Sequence, residues 1–286
     1  MEVRKFSLIN EKGEEFSLMD VHNYCLLTDP AGLGYGYETD YEKVGNVFIE
    51  NIRTLEQGTF TGTVNTIGYN NYAKLVNFIE NSANLRLYYV IPYPNQETKE
   101  YYRDVEFRNI TKSEIQRNGV ISEEIEFECK SLWYSINEAN YYIEAGEKEI
   151  RWNFEWDSRF LSYNARSLSI VNNGHTEAAI KLSIDGEVVN PVLGLSVEGQ
   201  QVQTIPFTCS IQEFEKFEYS SKDGDSYVRK QNTDGTYTSL FNLNVLEFNN
   251  NNVLKLPKGK SCEIQLTADD DIQKAKLQVF IYYKSV

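Results

Sequence analysis

The chain has 286 residues, long for one domain and ordinary for two, and 41% of them are hydrophobic, enough for a sizeable core. With 42 acidic against 28 basic side chains the net charge is −14, a field that repels phosphate backbones and anionic headgroups and argues against nucleic-acid and membrane partners. The chain carries 20 Tyr and 15 Phe against 2 Met and 6 Pro, which favours pleated, half-buried surfaces and hence β structure.

The opening residues lack the apolar core of a leader peptide and no run approaches membrane-span length, so the sequence reads as that of a soluble protein made in the cytoplasm. Alternation in VRKFSLI and EEFSLMD around the turn-forming NEKG predicts an N-terminal hairpin. From Val21 to Tyr41 no period is sustained, and Asp29-Pro30 followed by Gly32, Gly34 and Gly36 predicts an irregular loop. GNVFIENIRTL and GTFTGTVNTI read as strands punctuated by glycines. In NNYAKLVNFIENSA, Tyr72, Leu75, Val76 and Ile79 recur at helical spacing behind a capping Asn, which predicts one helix of about three turns. NLRLYYVIPY, YYRDVEFRNITKSEI and GVISEEIEFECKSLWY then alternate as strands; in the last, Ile121, Ile125, Phe127 and Cys129 share one face and Glu124, Glu126 and Glu128 take a wet one.

Past Tyr134 the sequence becomes polar and turn-rich, and a boundary is expected near residues 135 to 145, dividing the chain into a domain over 1–134 and another over 135–286. In the second half, short apolar stretches are separated by turn pairs such as Asn173-Gly174, Asp185-Gly186 and Asp223-Gly224, the pattern of a β-sandwich.

Few residues offer chemistry. GLGYGY has the glycine density of a phosphate loop, but the third glycine of a dinucleotide fingerprint falls on Tyr37, and no Gly-Lys-Ser or Gly-Lys-Thr follows. Gly32, Gly34 and Gly36 are therefore read as a packed loop, with Tyr35 and Tyr37 as contact residues. Only His22 and His175 could serve a nucleophile, and no G-x-S-x-G elbow exists. Cys25, Cys129, Cys209 and Cys262 form no C-x-x-C pair and are read as buried free thiols. Glu123 and Glu124 read as part of a solvated strand face; Asp223 with Asp225 and the run Asp269-Asp270-Asp271 offer oxygens of the kind Ca²⁺ takes but do not fit an EF-hand loop, and are read as turn residues. No metal or cofactor is expected. Trp152, Phe154 and Trp156 share one face of a strand, where they form either a core stripe or a platform for stacking sugar rings.

The order of these features over the first 134 residues resembles the distal tail (Dit) proteins, siphovirus-type tail components of phages and prophages. The opening hairpin, GLGYGYE, GNVFIEN, GTFTGTV, the helix with Tyr72, Phe78 and Ile79, LRLYY, RDVEFRNITKSEI and EIEFECKSLWY carry the resemblance as a set. It implies a mainly β protein, with an N-terminal β-barrel-like domain bearing one short helix and a C-terminal galectin-like β-sandwich. It further implies a homo-hexameric ring in the virion tail tip, docked to the tail tube protein on one side and to the tail-tip or tail-associated lysozyme protein on the other, with a receptor-binding protein outside it in some phages. No catalytic residue carries over, so no enzyme is expected. The second half fits the family by position and β texture alone, which leaves a carbohydrate-binding module resting on Trp152 and Trp156 as the alternative.

Overall fold

In the computed structural model, residues 4–20, 24–92, 98–142, 166–240, 253–269, 272 and 274–286 are described. The chain forms two units: Met1–Ser135 with Tyr283–Val286, and Ile136–Tyr282.

The first unit contains β1 (Lys5–Asn10), β2 (Glu15–Ser17), β3 (Met19–Asp20), β4 (Cys25–Ala31), β5 (Tyr37–Val44), β6 (Val47–Leu55), β7 (Thr59–Ile67), α1 (Gly68–Glu80), β8 (Leu85–Ile91), β9 (Lys99–Ile110), β10 (Val120–Cys129) and the start of β11 (Trp133–Tyr142). β1 and β2 make the expected hairpin, its turn held by the Asn10 side-chain oxygen, which accepts from the Lys12 and Glu14 amides. The strands run antiparallel in the order β1, β8, β9, β10, β7, β4. Leu18 closes the circuit: its amide donates to Phe6 of β1 (2.9 Å), and its carbonyl accepts from Leu27 of β4 (2.7 Å). A sheet whose two ends are linked in this way is barrel-like.

Period-2 alternation fills the interior. Leu85, Leu87 and Tyr89 of β8, Tyr101 and Val105 of β9, and Ile121, Ile125, Phe127 and Cys129 of β10 are buried, joined by Phe6, Leu8, Phe60, Val64 and Trp133. The helix packs Leu75 and Ile79 into this core.

Two local expectations are corrected. The stretch from Val21 to Tyr41 is not irregular throughout, since β4 pairs with β7; a register shift between Thr28 and Ala31, with Asp29 at φ +50°, breaks the alternation that would have revealed it. The helix starts at Gly68, ahead of the expected cap, and Ile67 at the N-cap offers no side-chain bond. Asn71 instead sits inside the first turn and donates to the Ile67 carbonyl at 2.7 Å.

The second unit contains the rest of β11, then β12 (Arg166–Val171), β13 (Ala178–Asp185), β14 (Val188–Val189), β15 (Val192–Val197), β16 (Gln200–Pro206), β17 (Ser210–Ile211), β18 (Lys216–Lys222), β19 (Asp225–Gln231), β20 (Tyr237–Ser239), β21 (Lys255–Leu256), β22 (Ser261–Thr267) and β23 (Lys274–Tyr283). It is a sandwich. One sheet runs β20, β19, β18, β13, β23, with β21 also on β13; the other runs β12, β22, β15, β16. Alternating residues are buried in β13 (Ile180, Leu182, Ile184) and in the second sheet (Leu193, Leu195, Ile264, Leu266), whereas β18 and β23 bury consecutive residues, 217–221 and 279–282. At the β18–β19–β20 end, Arg229 donates through Nε and Nη2 to Glu218 Oε2 (2.8 and 2.7 Å) while its guanidinium lies 3.9 Å from the Tyr227 ring centre and 3.8 Å from that of Tyr237. Trp152, Phe154, Trp156, His22, Asp270 and Asp271 lie outside the described residues.

Candidate assembly interface

The glycine loop joins β4 to β5 and is built by close approach. Gly32 has φ +87°, and a Cβ added there would fall 1.9 Å from the Thr59 carbonyl oxygen, so only glycine fits. Its own carbonyl accepts from Arg103 Nη1 at 3.0 Å. Arg103 lies on the inward parity of β9 and is only 4% exposed. Its Nε donates to the Ser131 carbonyl at 2.9 Å, and its guanidinium carbon lies 5.4 Å from the Trp133 ring centre. Burial lowers its pKa. A buried cation held by two carbonyls and an aromatic face thus ties the loop to the barrel. Among the sequence-predicted residues, a Cβ added at Gly34 would meet nothing within 4 Å, Gly36 accepts from the Glu56 amide (3.1 Å), and Tyr35 and Tyr37 meet edge to face at 5.6 Å.

Beyond this loop β5 and β6 form a hairpin arm that pairs with no other strand among the described residues. Gly45 and Asn46 make its two-residue turn, with Gly45 at φ +63° in the first central position, where a type II′ turn needs glycine. Every residue of β6 is exposed. Phe48 is 69%, Ile49 52% and Ile52 56% accessible, and Tyr41, Val44, Val47 and Leu55 are exposed as well.

The register explains where these side chains point. Ile52 faces Asp40 and Glu50 faces Tyr41, so Asn51 is an extra residue in β6. Ile49 and Ile52, three apart, would lie on opposite faces of a regular strand; the bulge puts both on one face with Val44 and Val47. Tyr37, Tyr41, Phe48 and Leu55 share the other face. Each face of the arm therefore carries four apolar side chains interleaved with polar and charged ones, Glu38, Asp40 and Glu42 on the first and Lys43, Glu50 and Arg53 on the second. A two-stranded hairpin is marginal alone in water, and apolar surface of this extent marks a contact site.

The root of the arm is cationic and aromatic. The Arg53 guanidinium carbon lies 4.0 Å from the Tyr37 ring centre, and Lys284 Nζ donates to the Tyr37 hydroxyl and lies 5.1 Å from the Tyr37 ring centre and 5.7 Å from that of Tyr35. Neither Arg103 nor Lys284 was singled out from sequence. Arg103 carried a signal, since it alternates with Tyr101 and Val105; Lys284 is too far along the chain to have one.

The other candidates are structural. Glu123 is not on a wet face: it is 2% exposed and accepts from the Ser113 amide and hydroxyl and from the Thr111 hydroxyl. Cys25, Cys129 and Cys262 are buried, whereas Cys209 is half-buried; burial pushes the Cys25 thiol up to about 12 and that of Cys209 to about 11. Asp223 pairs with Lys255 (2.7 Å), Asp269 accepts from Asn190 (2.7 Å), and the His175 amide donates to Tyr282 (2.7 Å). Among the described residues no group of at least three His, Cys, Asp or Glu is arranged to hold a metal ion, and no helix is long and apolar enough to cross a membrane.

Comparison with known proteins bears on the first unit and on the whole fold. Residues 5–130 match the family model for the distal tail protein, N-terminal domain. No curated protein sequence matches the chain. Among solved structures, a chain of the phage P2 baseplate in its activated conformation with Ca is similar, with TM-score 0.64 and 15% identity over 100% of both chains; the Sr form gives 0.64 and 16%. The SPP1 Dit protein is similar with TM-score 0.55 and 10% identity over 98% of each chain. At these identities the likeness is one of fold. Residues 5–130 are thus similar to the distal tail protein N-terminal domain, and the whole chain is similar in fold to baseplate and Dit chains.

Proposed function

We propose that this protein is a structural, non-enzymatic hub of a phage or prophage tail tip, six copies of which close into a ring in the virion. The ring joins the tail tube protein to the tail-tip or tail-associated lysozyme protein, and its outer sandwich is available to a receptor-binding protein. The family match and the full-length fold likeness to a phage P2 baseplate chain and to SPP1 Dit, described as a paradigm of hub adsorption apparatus in phages that infect Gram-positive hosts, support this reading. The observation that carries it is the arm. Its apolar residues lie on both faces, the unit it leaves is barrel-like, and a neighbouring copy supplies the missing cover. Tyr35 and Tyr37, with Gly32, Gly34 and Gly36 shaping the loop behind them, form the root of that contact.

The test is the mass of the purified protein by light scattering, with negative-stain imaging. Six chains of 33.1 kDa give roughly 200 kDa in a closed ring. Ile49→Asp and Phe48→Asp, one on each face of the arm, are expected to give folded monomers. A wild-type chain that remains monomeric at high concentration, or rings that persist in the double variant, would overturn the proposal.

A further inference from the structure

The arm leaves its unit by two strands of backbone, Gly36–Tyr37 on the way out and Leu55–Glu56 on the way back, joined at the root by the Glu56 amide to the Gly36 carbonyl at 3.1 Å. Two connecting segments and one backbone bond leave the direction of the arm to be set by further contacts at its root. One such contact comes from the far end of the sequence. Tyr283–Val286 belong to the first unit. The Tyr283 ring meets the Tyr101 ring edge-on with centres 5.4 Å apart, its hydroxyl lies 3.5 Å from Ser135 Oγ, and Tyr283 and Val286 both pack against the unit's core. Lys284 lies between these two anchors in sequence, so its backbone is held to the barrel. Its side chain reaches the arm, where Nζ donates to the Tyr37 hydroxyl at the edge of that ring and lies 5.7 Å from the Tyr35 ring centre.

We propose that Lys284 is a positioning residue for the arm: it pegs Tyr37, the first residue of β5, to the barrel and so sets the direction in which the arm projects. The charge is what the peg requires. A hydrogen bond from an ammonium and attraction to the Tyr35 ring are both lost in an apolar side chain of equal length, whereas arginine keeps both. The inference depends on the ring only for its consequence, since a mis-aimed arm does not meet its neighbour. Its test is read within one chain, so a protein that stays monomeric would refute the ring and leave the peg to be judged separately.

Spin labels at Asn46→Cys, in the turn of the arm, and Lys74→Cys, on the exposed side of α1, report the arm's direction by pulsed electron resonance. The labelled chain carries Cys209→Ser together with Phe48→Asp and Ile49→Asp, so that no neighbouring copy fixes the arm. A single narrow distance distribution is expected. Lys284→Met is expected to broaden it at least about twofold, the effect of losing a charged hydrogen bond and the Tyr35 ring contact, and Lys284→Arg to restore it. A control pair at Lys74→Cys and Arg117→Cys, both off the arm, is expected to keep its width in every variant. The proposal is overturned if Lys284→Met leaves the arm distribution unchanged, if the wild-type distribution is already broad, or if the control pair broadens equally, because Lys284 then holds the unit and not the arm.

Discussion

Replacing Gly32 by alanine tests the loop where its geometry is tightest. The residue sits at φ +87°, and an added Cβ would lie 1.9 Å from the Thr59 carbonyl oxygen, 2.9 Å from its carbon and 3.0 Å from Phe60 Cα. These are backbone atoms of β7, which is paired on both sides, by β10 and by β4. The left-handed conformation costs an L-residue about 1–2 kcal/mol, and displacing packed backbone costs about 1–3 kcal/mol more. The expected loss is about 3 kcal/mol, a large part of the about 5–15 kcal/mol that holds an ordinary domain together. In urea that is a midpoint lowered by about 1.5 M, for a slope near about 2 kcal/mol per molar. Pulse labelling of Cys25 and Cys129 reads this unit alone, since both thiols are buried in its core. Gly34→Ala is the control, because nothing lies within 4 Å of its added Cβ, and it is expected to change stability by less than about 0.5 kcal/mol. Equal midpoints for the two variants would refute the close approach of Gly32 to Thr59.

Arg103→Met removes both carbonyl contacts of a buried cation and leaves the Gly32 and Ser131 carbonyls unpaired; a loss of about 3 kcal/mol is expected, read by the same labelling. Burial works to raise the pKa of Glu123, but the hydrogen bonds from Ser113 and Thr111 and the charge of Lys112 outweigh it, and the net shift is downward. Its ionised form therefore stabilises the fold fully above the usual carboxylate range, and the contribution is lost as pH falls through the lowered value. Glu123→Gln is expected to be less stable at neutral pH and to lose less on acidification, in urea titrations between about pH 7 and 3. With the Cys25 thiol pushed up to about 12 and buried, iodoacetamide at about pH 8 is expected to leave it unmodified in the native protein and to alkylate it in urea; rapid native modification would refute its burial.

The elements that sequence made legible are those whose alternation is unbroken. β10 shows this: Ile121, Ile125, Phe127 and Cys129 are buried as their parity requires. The same parity contains Glu123, and charge obscured what spacing stated. A carboxylate at an inward position is affordable to the fold only with donors, and these come from Thr111 and Ser113, in a loop whose approach no local pattern encodes. Arg103 is the same case on β9. β4 was missed for a different reason: its register shift and the positive φ of Asp29 scramble the period on which strand recognition depends.

The arm joins these two causes. In sequence, GNVFIENIRTL reads as one more strand, and a strand is assumed to join the sheet of its own domain. Here, among the described residues, β5 and β6 pair only with each other, as a separate two-stranded sheet. Consecutive Val47, Phe48 and Ile49 then cannot satisfy a one-sided core, and the extra residue at Asn51 gathers Ile49 and Ile52 on one face while Phe48 stays on the other. Exposed apolar side chains therefore stand on both faces of the arm among charged ones, and the run that breaks alternation is the sequence feature that records it.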